Sequence, residues 1–330
     1  MNPIHRRACL ALAACGALAA LAGPGALAQT YPAKPITMVV PFPPGGPTDM
    51  VARLLAQKLS EQMGQPVVVD NKPGANGNIG GALVSKAAAD GHTLLYNTSS
   101  ITLSPALYKS MQYDVLRDLA PVALTAVVPL ALVVNPAVPA NSVQEFVAYA
   151  KAHSGKLSFG HGGNGTNPHL SALVLVRSLG VKAVEVPYKG NAPTAVALGG
   201  GEIDFAMLDY PSVRPLVERG NVRLLAVTEP KRVGMTPQVP TSGEQGLTRE
   251  LDGMAPWFML VAPASTPAPV INLLSQQAGA ALGSPEVNKA LASAGIEVET
   301  GSPAQAQRYF MEQRERMTRL ARELKVSLKN

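Results

Sequence analysis

Short runs of β-branched residues alternate along this chain with stretches whose apolar residues recur at helical spacing. Residues 36–40 form an apolar run that predicts a buried strand, and residues 48–63 predict a helix that ends at Gly64. The same alternation continues with predicted strands at 67–70, 93–96 and 203–208 and a predicted helix at 79–89. Alternating strands and helices are typical of an α/β architecture, so we expect largely parallel sheets.

Two apolar runs of similar build predict that the chain leaves one domain and later returns to it. They occupy residues 130–135 and 257–262, and each is followed by proline-rich spacing and a helix-start signal. We therefore predict that domain one consists of 29–128 plus 256–330 and that domain two consists of 129–255. A ligand cleft between the two domains follows from this arrangement.

Residues 1–28 have the pattern of an export signal. Arg6 and Arg7 precede an apolar run, and Ala26-Leu27-Ala28 is a small-x-small site, which predicts cleavage after Ala28. A lipoprotein anchored at Cys15 is the alternative, because residues 12–15 resemble a lipobox. Both cysteines, Cys9 and Cys15, lie in this segment, so the mature chain would have no disulfide and no thiolate metal site.

Two glycine-rich turns each lead from an apolar run into an amphipathic helix. The first spans residues 41–49, and the second spans residues 160–169. Where a helix begins, backbone N–H groups lack intrahelical partners and bind anions. The turns therefore predict a cleft whose bare N–H groups hold an anion from two sides. Asp49, at the first helix start, is expected to cap such N–H groups, with a hydrogen bond to the ligand as the alternative.

The second turn also matches the outline of a dinucleotide-binding fingerprint. Gly160 to Gly165 fit G-x-G-x-x-G, and Glu185 follows twenty residues later. An exported chain is an unusual setting for a nicotinamide enzyme, and Val186-Pro187-Tyr188 after Glu185 indicates a position inside a strand. Thr166, Asn167 and His169 suit a small anion better. An exported dinucleotide-binding enzyme is therefore the weaker alternative.

Other chemical signals are weak. The chain has no pattern of a hydrolase nucleophile, a zinc protease or a P-loop, so no catalytic residue is predicted. His161 and His169 are of metal-binding type, but no third ligand stands at a suitable spacing, so no metal site is predicted. Part of the net charge of +6 sits in the last helix, where Glu312 and Arg316 predict an ordinary solvated face. We expect no nucleic-acid binding.

Five segments of the chain form a recognisable set: Tyr31-Pro32-x-Lys34-Pro35-Ile36, Val40-Pro41-Phe42-Pro43-Pro44-Gly45-Gly46-x-Thr48-Asp49, Asn71-Lys72-Pro73-Gly74-Ala75, Val186-Pro187-Tyr188-Lys189-Gly190 and Leu225-Ala226-Val227-Thr228. The set resembles the Bug solute receptors, the substrate-binding proteins of tripartite tricarboxylate transporters. The resemblance covers nearly the whole mature chain. It implies a fold like that of type II periplasmic binding proteins, with two α/β domains joined by two crossover strands and a ligand cleft between them.

The resemblance also implies how the cleft binds a small carboxylate: through backbone N–H groups and small hydroxyls of the two turns. The implied ligand-binding residues are Phe42, Gly45, Gly46, Thr48, Asp49, Thr98, Ser99, Gly163, Asn164, Gly165, Thr166, His169 and Asp209. It implies a monomer without a cofactor that delivers its ligand to the membrane subunits of a transporter. Asn76 and His161 depart from the family pattern, and His161 is expected to bear on ligand choice.

The resemblance leaves two questions open. Dicarboxylates, tricarboxylates, amino acids and aromatic acids all carry the group that the turns are expected to hold. A sensory receptor that docks on a membrane signalling protein would have the same sequence features and remains an alternative to a transport receptor.

Overall fold

The computed structural model describes residues 31–108 and 110–326, so the predicted export signal, with Cys9 and Cys15, lies outside the described residues. The strands within this part are β1 (Ile36–Val40), β2 (Val67–Asn71), β3 (Thr93–Thr98), β4 (Leu119–Val127), β5 (Leu130–Val134), β6 (Leu157–His161), β7 (Ala183–Pro187), β8 (Phe205–Asp209), β9 (Arg223–Val227), β10 (Trp257–Pro263) and β11 (Glu297–Val298). The helices are α1 (Pro47–Met63), α2 (Asn78–Ser85), α3 (Ser100–Leu107), α4 (Val143–Ala152), α5 (Asn167–Leu179), α6 (Asn191–Gly199), α7 (Tyr210–Glu218), α8 (Ala268–Leu282), α9 (Pro285–Ser293) and α10 (Pro303–Glu323).

The strands form two sheets, each flanked by helices. The first sheet has the order β11-β4-β10-β3-β1-β2, and the second has the order β7-β6-β8-β5-β9. The chain passes from the first sheet to the second between β4 and β5, and it returns between β9 and β10. The architecture is therefore two α/β domains joined by crossover segments. The boundaries after residues 128 and 255 are predicted for domains that fold independently of each other. They remain predictions.

The expectation of largely parallel sheets is only partly right. β1 pairs in parallel with β2 and β3, and β6 pairs in parallel with β7 and β8. In contrast, β10 is antiparallel to β3 and β4, and β5 is antiparallel to β8 and β9. The reason lies in the crossovers, because β4 runs toward the junction of the domains while its neighbour β10 runs away from it.

The central strands of each sheet are buried on both faces, as their apolar runs require. In β1, Met38 and Val40 pack in a core with α1 and α8, whereas Val39 between them packs in a second core with α2 and α10. The same alternation divides Leu132 and Val133 of β5 between two cores of the second domain. A period of two residues thus directs neighbouring side chains of one apolar run to opposite faces.

The C-terminal ends of α1 and α2 can be compared with the ends that the sequence predicts. α1 ends at the predicted residue, and Gly64 follows it in the left-handed conformation with φ 68°. α2 ends at Ser85, four residues earlier than predicted. The residues that follow form the turn into β3, where the His92 amide donates to Asp90 Oδ1 at 2.9 Å.

The C-terminal helix α10 packs against both domains. Its residues Ala306 and Phe310 lie in a core of the first domain, whereas Met317 and Leu320 lie in a core of the second. A helix of 21 residues is about 32 Å long, which is enough to reach both. Arg316 is partly buried and donates to the Glu250 carbonyl at 2.6 Å, so the expectation of a solvated face paired through Glu312 is wrong here.

The described helices also bear on membrane association. None of those within residues 31–108 and 110–326 is both long and apolar enough to cross a bilayer.

Candidate functional site

The predicted site residues lie at the carboxyl ends of parallel strands. In the first domain, the first glycine turn follows β1 and Ser99 follows β3, and these two strands are parallel neighbours. In the second domain, the second glycine turn follows β6 and Asp209 ends β8, which are again parallel neighbours. The carboxyl ends of parallel strands meet at one edge of a sheet, where α/β proteins bind ligands.

The two edges touch each other through polar and apolar contacts. Ser99 Oγ donates to Asn167 Oδ1 at 3.1 Å, and Asn167 Nδ2 donates to the Met254 carbonyl at 2.8 Å. Leu107 of α3 lies so close to Gly165 that a Cβ on this glycine would come within 2.4 Å of Leu107 Cδ1. The second glycine turn therefore borders the first domain, and the two edges face each other.

Asp49 holds the first turn from inside the protein. Its Oδ2 accepts hydrogen bonds from the Gly45 amide and from Arg53 Nε, both at 2.9 Å, and its Oδ1 accepts one from Asn71 Nδ2 at 2.9 Å. Burial by itself raises the pKa of Asp49, but the bonds from Arg53, Gly45 and Asn71 outweigh it and lower this pKa to about 2. Asp49 is thus structural, although it closes the turn instead of capping the helix as expected.

The N-terminus of α1 carries no side-chain cap. Gly46 is the N-cap residue, with an extended backbone at φ −83° and ψ 171°, and Pro47 follows it. A Cβ on Gly46 would meet no heavy atom within 4 Å, so the space beside the turn is open. Within residues 31–108 and 110–326 no side chain caps the first-turn amides of this helix, the kind of group that binds anions.

The second turn differs because two imidazoles accept its amide hydrogens. The Gly163 amide donates to His161 Nδ1 at 3.2 Å, and the Gly165 amide donates to His169 Nδ1 at 3.0 Å. Both histidines are buried, and their rings stack with centroids 4.1 Å apart. The expectation of bare N–H groups is therefore wrong for Gly163 and Gly165, because two side chains of this chain already occupy them.

The remaining residues of the second turn divide into one cap and one exposed tip. Thr166 is the N-cap of α5, where its Oγ1 accepts from the His169 amide at 3.4 Å and donates to the Gly163 carbonyl at 2.8 Å. Asn164, at the tip, is exposed. The turn thus exposes Asn164, whereas Thr166 and the amides of Gly163 and Gly165 bond within the protein.

Glu185 joins the two histidines into a cluster. Its Oε1 lies 3.0 Å from His161 Nε2 and 3.1 Å from His169 Nε2, the second without the alignment of a hydrogen bond. The expectation that no third group accompanies the histidines is wrong, because pairing of β7 with β6 brings Glu185 to them. Burial and the neighbouring His161 lower the pKa of His169 to about 4, with Glu185 opposing them.

His161, His169 and Glu185 are residue types that bind metals. The hydrogen bonds of the two imidazoles, however, require the histidine tautomer that does not bind a metal through Nε2. One ligand atom from each of His161, His169 and Glu185 lies within 4.8 Å of the others. A histidine that binds a metal through Nε2 carries its proton on Nδ1. Here both Nδ1 atoms face backbone N–H donors, so a proton there would oppose them. The three residues therefore fit a hydrogen-bonded network and do not fit a metal ion.

The other predicted residues also bond within their own domains. Asp209 is the N-cap of α7, accepts from the Ser212 amide at 3.0 Å and accepts from Asn191 Nδ2. Thr98 Oγ1 accepts from the Ser100 amide at 3.2 Å. Phe42 is partly buried against the first core, and its carbonyl accepts from Asn71 at 3.1 Å.

Several polar residues of the site escaped sequence reasoning. They are Asn71, Asn191 and Glu185, which contact the predicted residues directly. Asn71 ends β2 and Asn191 begins α6, so the rule that polar residues at strand ends and helix starts line a site would have found them. Glu185 stands in the middle of β7, and the sequence marks it only through the dinucleotide fingerprint, which implies a different role.

Comparisons with known proteins agree with this architecture. The family model described as tripartite tricarboxylate transporter family receptor matches residues 51–326. Protein BugT of Bordetella pertussis is 38% identical over 322 residues, which cover 96% of this chain and 98% of BugT. The structure of R. palustris Rpa4515 with adipate has a TM-score of 0.78 at 36% identity and covers 90% of this chain and 100% of that chain. MatC (Rpa3494) from Rhodopseudomonas palustris with bound malate has a TM-score of 0.73 at 31% identity. The match covers 88% of this chain and 99% of the MatC chain.

Proposed function

The chain belongs to the tripartite tricarboxylate transporter receptor family, and we propose that it binds a small carboxylate between its two domains in the periplasm. The observation that carries the proposal is the uncapped N-terminus of α1 beside open space at Gly46. Two similar receptors hold dicarboxylates, adipate in one and malate in the other. A dicarboxylate is therefore the class of ligand that the proposal names first, ahead of tricarboxylates, amino acids and aromatic acids.

The proposed carboxylate position is defined by groups at the start of α1, at the end of β3 and on the second glycine turn. The amides of Thr48 and Asp49 begin the helix above Gly46, and Thr98 lies at the end of the neighbouring strand β3. Asn164 is the exposed polar group on the opposite wall. Hydrogen bonds to a charged group contribute roughly 1.5–3 kcal/mol each, so a few of them reach the affinity of a micromolar receptor after ordering costs.

The other predicted site residues support these groups in the proposal. Their polar atoms are bonded inside the protein, so they hold the turns in shape around the ligand. They are Phe42, Gly45, Ser99, Gly163, Gly165, Thr166, His169 and Asp209. His161 belongs with them, because it influences ligand choice through the Gly163 amide.

We propose binding without turnover. The alternative of a dinucleotide enzyme requires Glu185 to reach a ribose at the end of its strand. Glu185 is instead the third of the five residues of β7 and contacts His161. Gly160 and Gly162 of the fingerprint are explained by packing, since a Cβ would collide with Ile203 at the first and with Asn191 at the second.

Export and partners complete the proposal. The pattern of residues 1–28 supports a signal peptide that is cleaved after Ala28, with anchoring at Cys15 as the alternative. Family membership supports delivery of the ligand by a monomeric receptor to the membrane subunits of a transporter. Docking on a membrane signalling protein is the competing role, and genes for transporter subunits beside this one would favour transport.

Gly46→Val tests the carboxylate position. The new side chain points into the open space beside α1, so the fold is expected to tolerate it while binding of adipate or malate weakens by at least tenfold. Thermal-shift titration of the mature protein measures both properties. Gly279→Val in α8 is the matched control, because a Cβ there also meets no atom within 4 Å.

Equal ligand shifts in the two variants would contradict the proposed position. Gly165 is unsuited to this test, because its φ of 72° and its contact with Leu107 make any side chain disruptive.

A further inference from the structure

Glu185 is placed unusually for a residue of an edge strand. β7 forms the edge of the second sheet, and the Glu185 side chain is 40% exposed. Its Oε1 nevertheless points at two buried imidazoles, His161 Nε2 at 3.0 Å and His169 Nε2 at 3.1 Å.

The proton on each imidazole is determined by the atoms around it. Neutral histidine has one protonated and one unprotonated ring nitrogen. His161 Nδ1 accepts from the Gly163 amide and His169 Nδ1 accepts from the Gly165 amide, so both protons are on Nε2. His161 Nε2–H bonds to Glu185 Oε1 at 3.0 Å, and His169 Nε2 lies 3.1 Å from the same carboxylate oxygen, whose charge favours a proton there even without the alignment of a hydrogen bond. Glu185 therefore favours the tautomer that the turn requires.

We propose that Glu185 is a positioning residue for the ligand-binding turn: it holds His161 and His169 in the Nε2–H form, so that their Nδ1 atoms fix the amides of Gly163 and Gly165. The proposal rests on the proposed function, because it makes the shape of this turn a determinant of ligand affinity. A shift of either proton to Nδ1 would place two N–H groups opposite each other and displace the turn.

Few other hydrogen bonds hold this shape within the part of the chain that the structure describes. Gly163 and Gly165 adopt positive φ values of 137° and 72°, which are glycine conformations with no intrinsic preference for this geometry over others. Besides the two imidazoles, Thr166 binds the Gly163 carbonyl and the Thr166 amide lies 3.4 Å from it. Loss of the imidazole acceptors would thus leave both glycine amides free to reorient.

Two substitutions separate the acceptor role of Glu185 from its charge. Glu185→Gln keeps a carbonyl oxygen at the same distance from the backbone, whereas Glu185→Leu removes every acceptor at similar volume. Glu312→Leu is the control, because Glu312 is exposed on α10, far along the chain from the cluster. Thermal unfolding of each variant checks that the fold is retained.

The first readout needs no ligand. Nitrogen NMR of the imidazoles in the wild type at neutral pH is expected to show unprotonated Nδ1 in both histidines. Hydrogen exchange is expected to show protected Gly163 and Gly165 amides that exchange at least tenfold faster in Glu185→Leu and at the wild-type rate in Glu185→Gln. A proton on Nδ1 of either ring, or unchanged exchange in Glu185→Leu, would overturn the proposal.

The second readout is calorimetric titration with adipate and malate. Glu185→Leu is expected to raise Kd by about tenfold, equivalent to one hydrogen bond of a charged group, while Glu185→Gln stays within about threefold. Wild-type affinity in a Glu185→Leu protein whose turn amides exchange faster would overturn the link to binding. If neither acid binds the wild type, the proposed function fails, whereas the NMR result still decides how the turn is held.

Discussion

At the scale of single residues, different side-chain groups accept the backbone amides of the two glycine turns. In the first, the carboxylate of Asp49 accepts the Gly45 amide, and Arg53 balances its charge at 2.9 Å. In the second, the neutral imidazoles of His161 and His169 accept the amides. Balance of the Asp49 charge matters for function, because an unpaired carboxylate beside α1 would repel a carboxylate ligand.

Asp49→Ala is expected to destabilise the protein by about 2–3 kcal/mol, because three donors lose a buried charged acceptor. Chemical denaturation measures this difference in unfolding free energy. Because the folded pKa is lowered to about 2, the contribution of Asp49 is complete above its ordinary pKa near 3.8 and is lost as pH falls toward 2.

Asp70→Ala is the control for this substitution. Asp70 pairs with Lys72 at 3.1 Å at the surface, and such pairs contribute less than about 1 kcal/mol. Equal losses in the two variants would contradict the role of Asp49 in the turn.

Sequence reasoning located both turns but not the means by which they are held. A glycine run after an apolar strand marks a turn locally, so Gly45 and Gly165 could be placed. One partner of Asp49 is Asn71, 22 positions away, and one partner of His161 is Glu185, 24 positions away. Both contacts depend on which strands are neighbours, and a single chain's pattern does not determine this.

At the scale of elements, α10 has a role that the hydrophobic pattern of the sequence does not reveal, namely contact with both domains. Its apolar stripe predicts a helix with one buried face, but it does not say which core receives each end. The structure places Phe310 in the first domain and Leu320 in the second. Arg177 reinforces the second contact by pairing with Glu323 at 3.1 Å and with Glu250 at 2.5 Å. α10 therefore restrains the relative positions of the domains.

Leu320→Ala is expected to lower the unfolding free energy by about 2–5 kcal/mol, because it leaves a cavity in the core that α10 shares with the second domain. Urea denaturation measures the loss. Arg319→Ala, on the exposed side of the same helix, is expected to cost less than about 1 kcal/mol. A small loss for Leu320→Ala would show that α10 does not hold the second domain.

At the scale of the whole molecule, the two domains meet where their chain crossings converge. The Thr228 amide donates to the Leu130 carbonyl at 2.8 Å, and the Val128 amide donates to the Pro256 carbonyl at 2.8 Å. Glu229 lies beside this junction, and its Oε1 is buried without a hydrogen-bond partner among residues 31–108 and 110–326. Burial, followed by the charges of Glu297, Glu299 and Asp252, raises the pKa of Glu229 to about 7.

Glu229→Gln is expected to stabilise the protein at pH 8 by on the order of 1–3 kcal/mol and to have little effect at pH 5. A raised folded pKa means that the native state retains the proton, so wild-type stability falls as pH rises from about 4.5 through 7. Denaturation at both pH values measures the change. The same difference at pH 5 and pH 8 would contradict a raised pKa of Glu229 in the folded protein.

The central claim is that the cleft recognises a carboxylate group, and calorimetric titration of the mature wild-type protein with matched ligands tests it most directly. Adipate and malate are titrated beside their uncharged diamides and beside NAD. The account predicts saturable binding of one dicarboxylate at one site per chain and no heat from the diamides or from NAD. Equal affinity for an acid and its diamide, or binding of NAD alone, would contradict it.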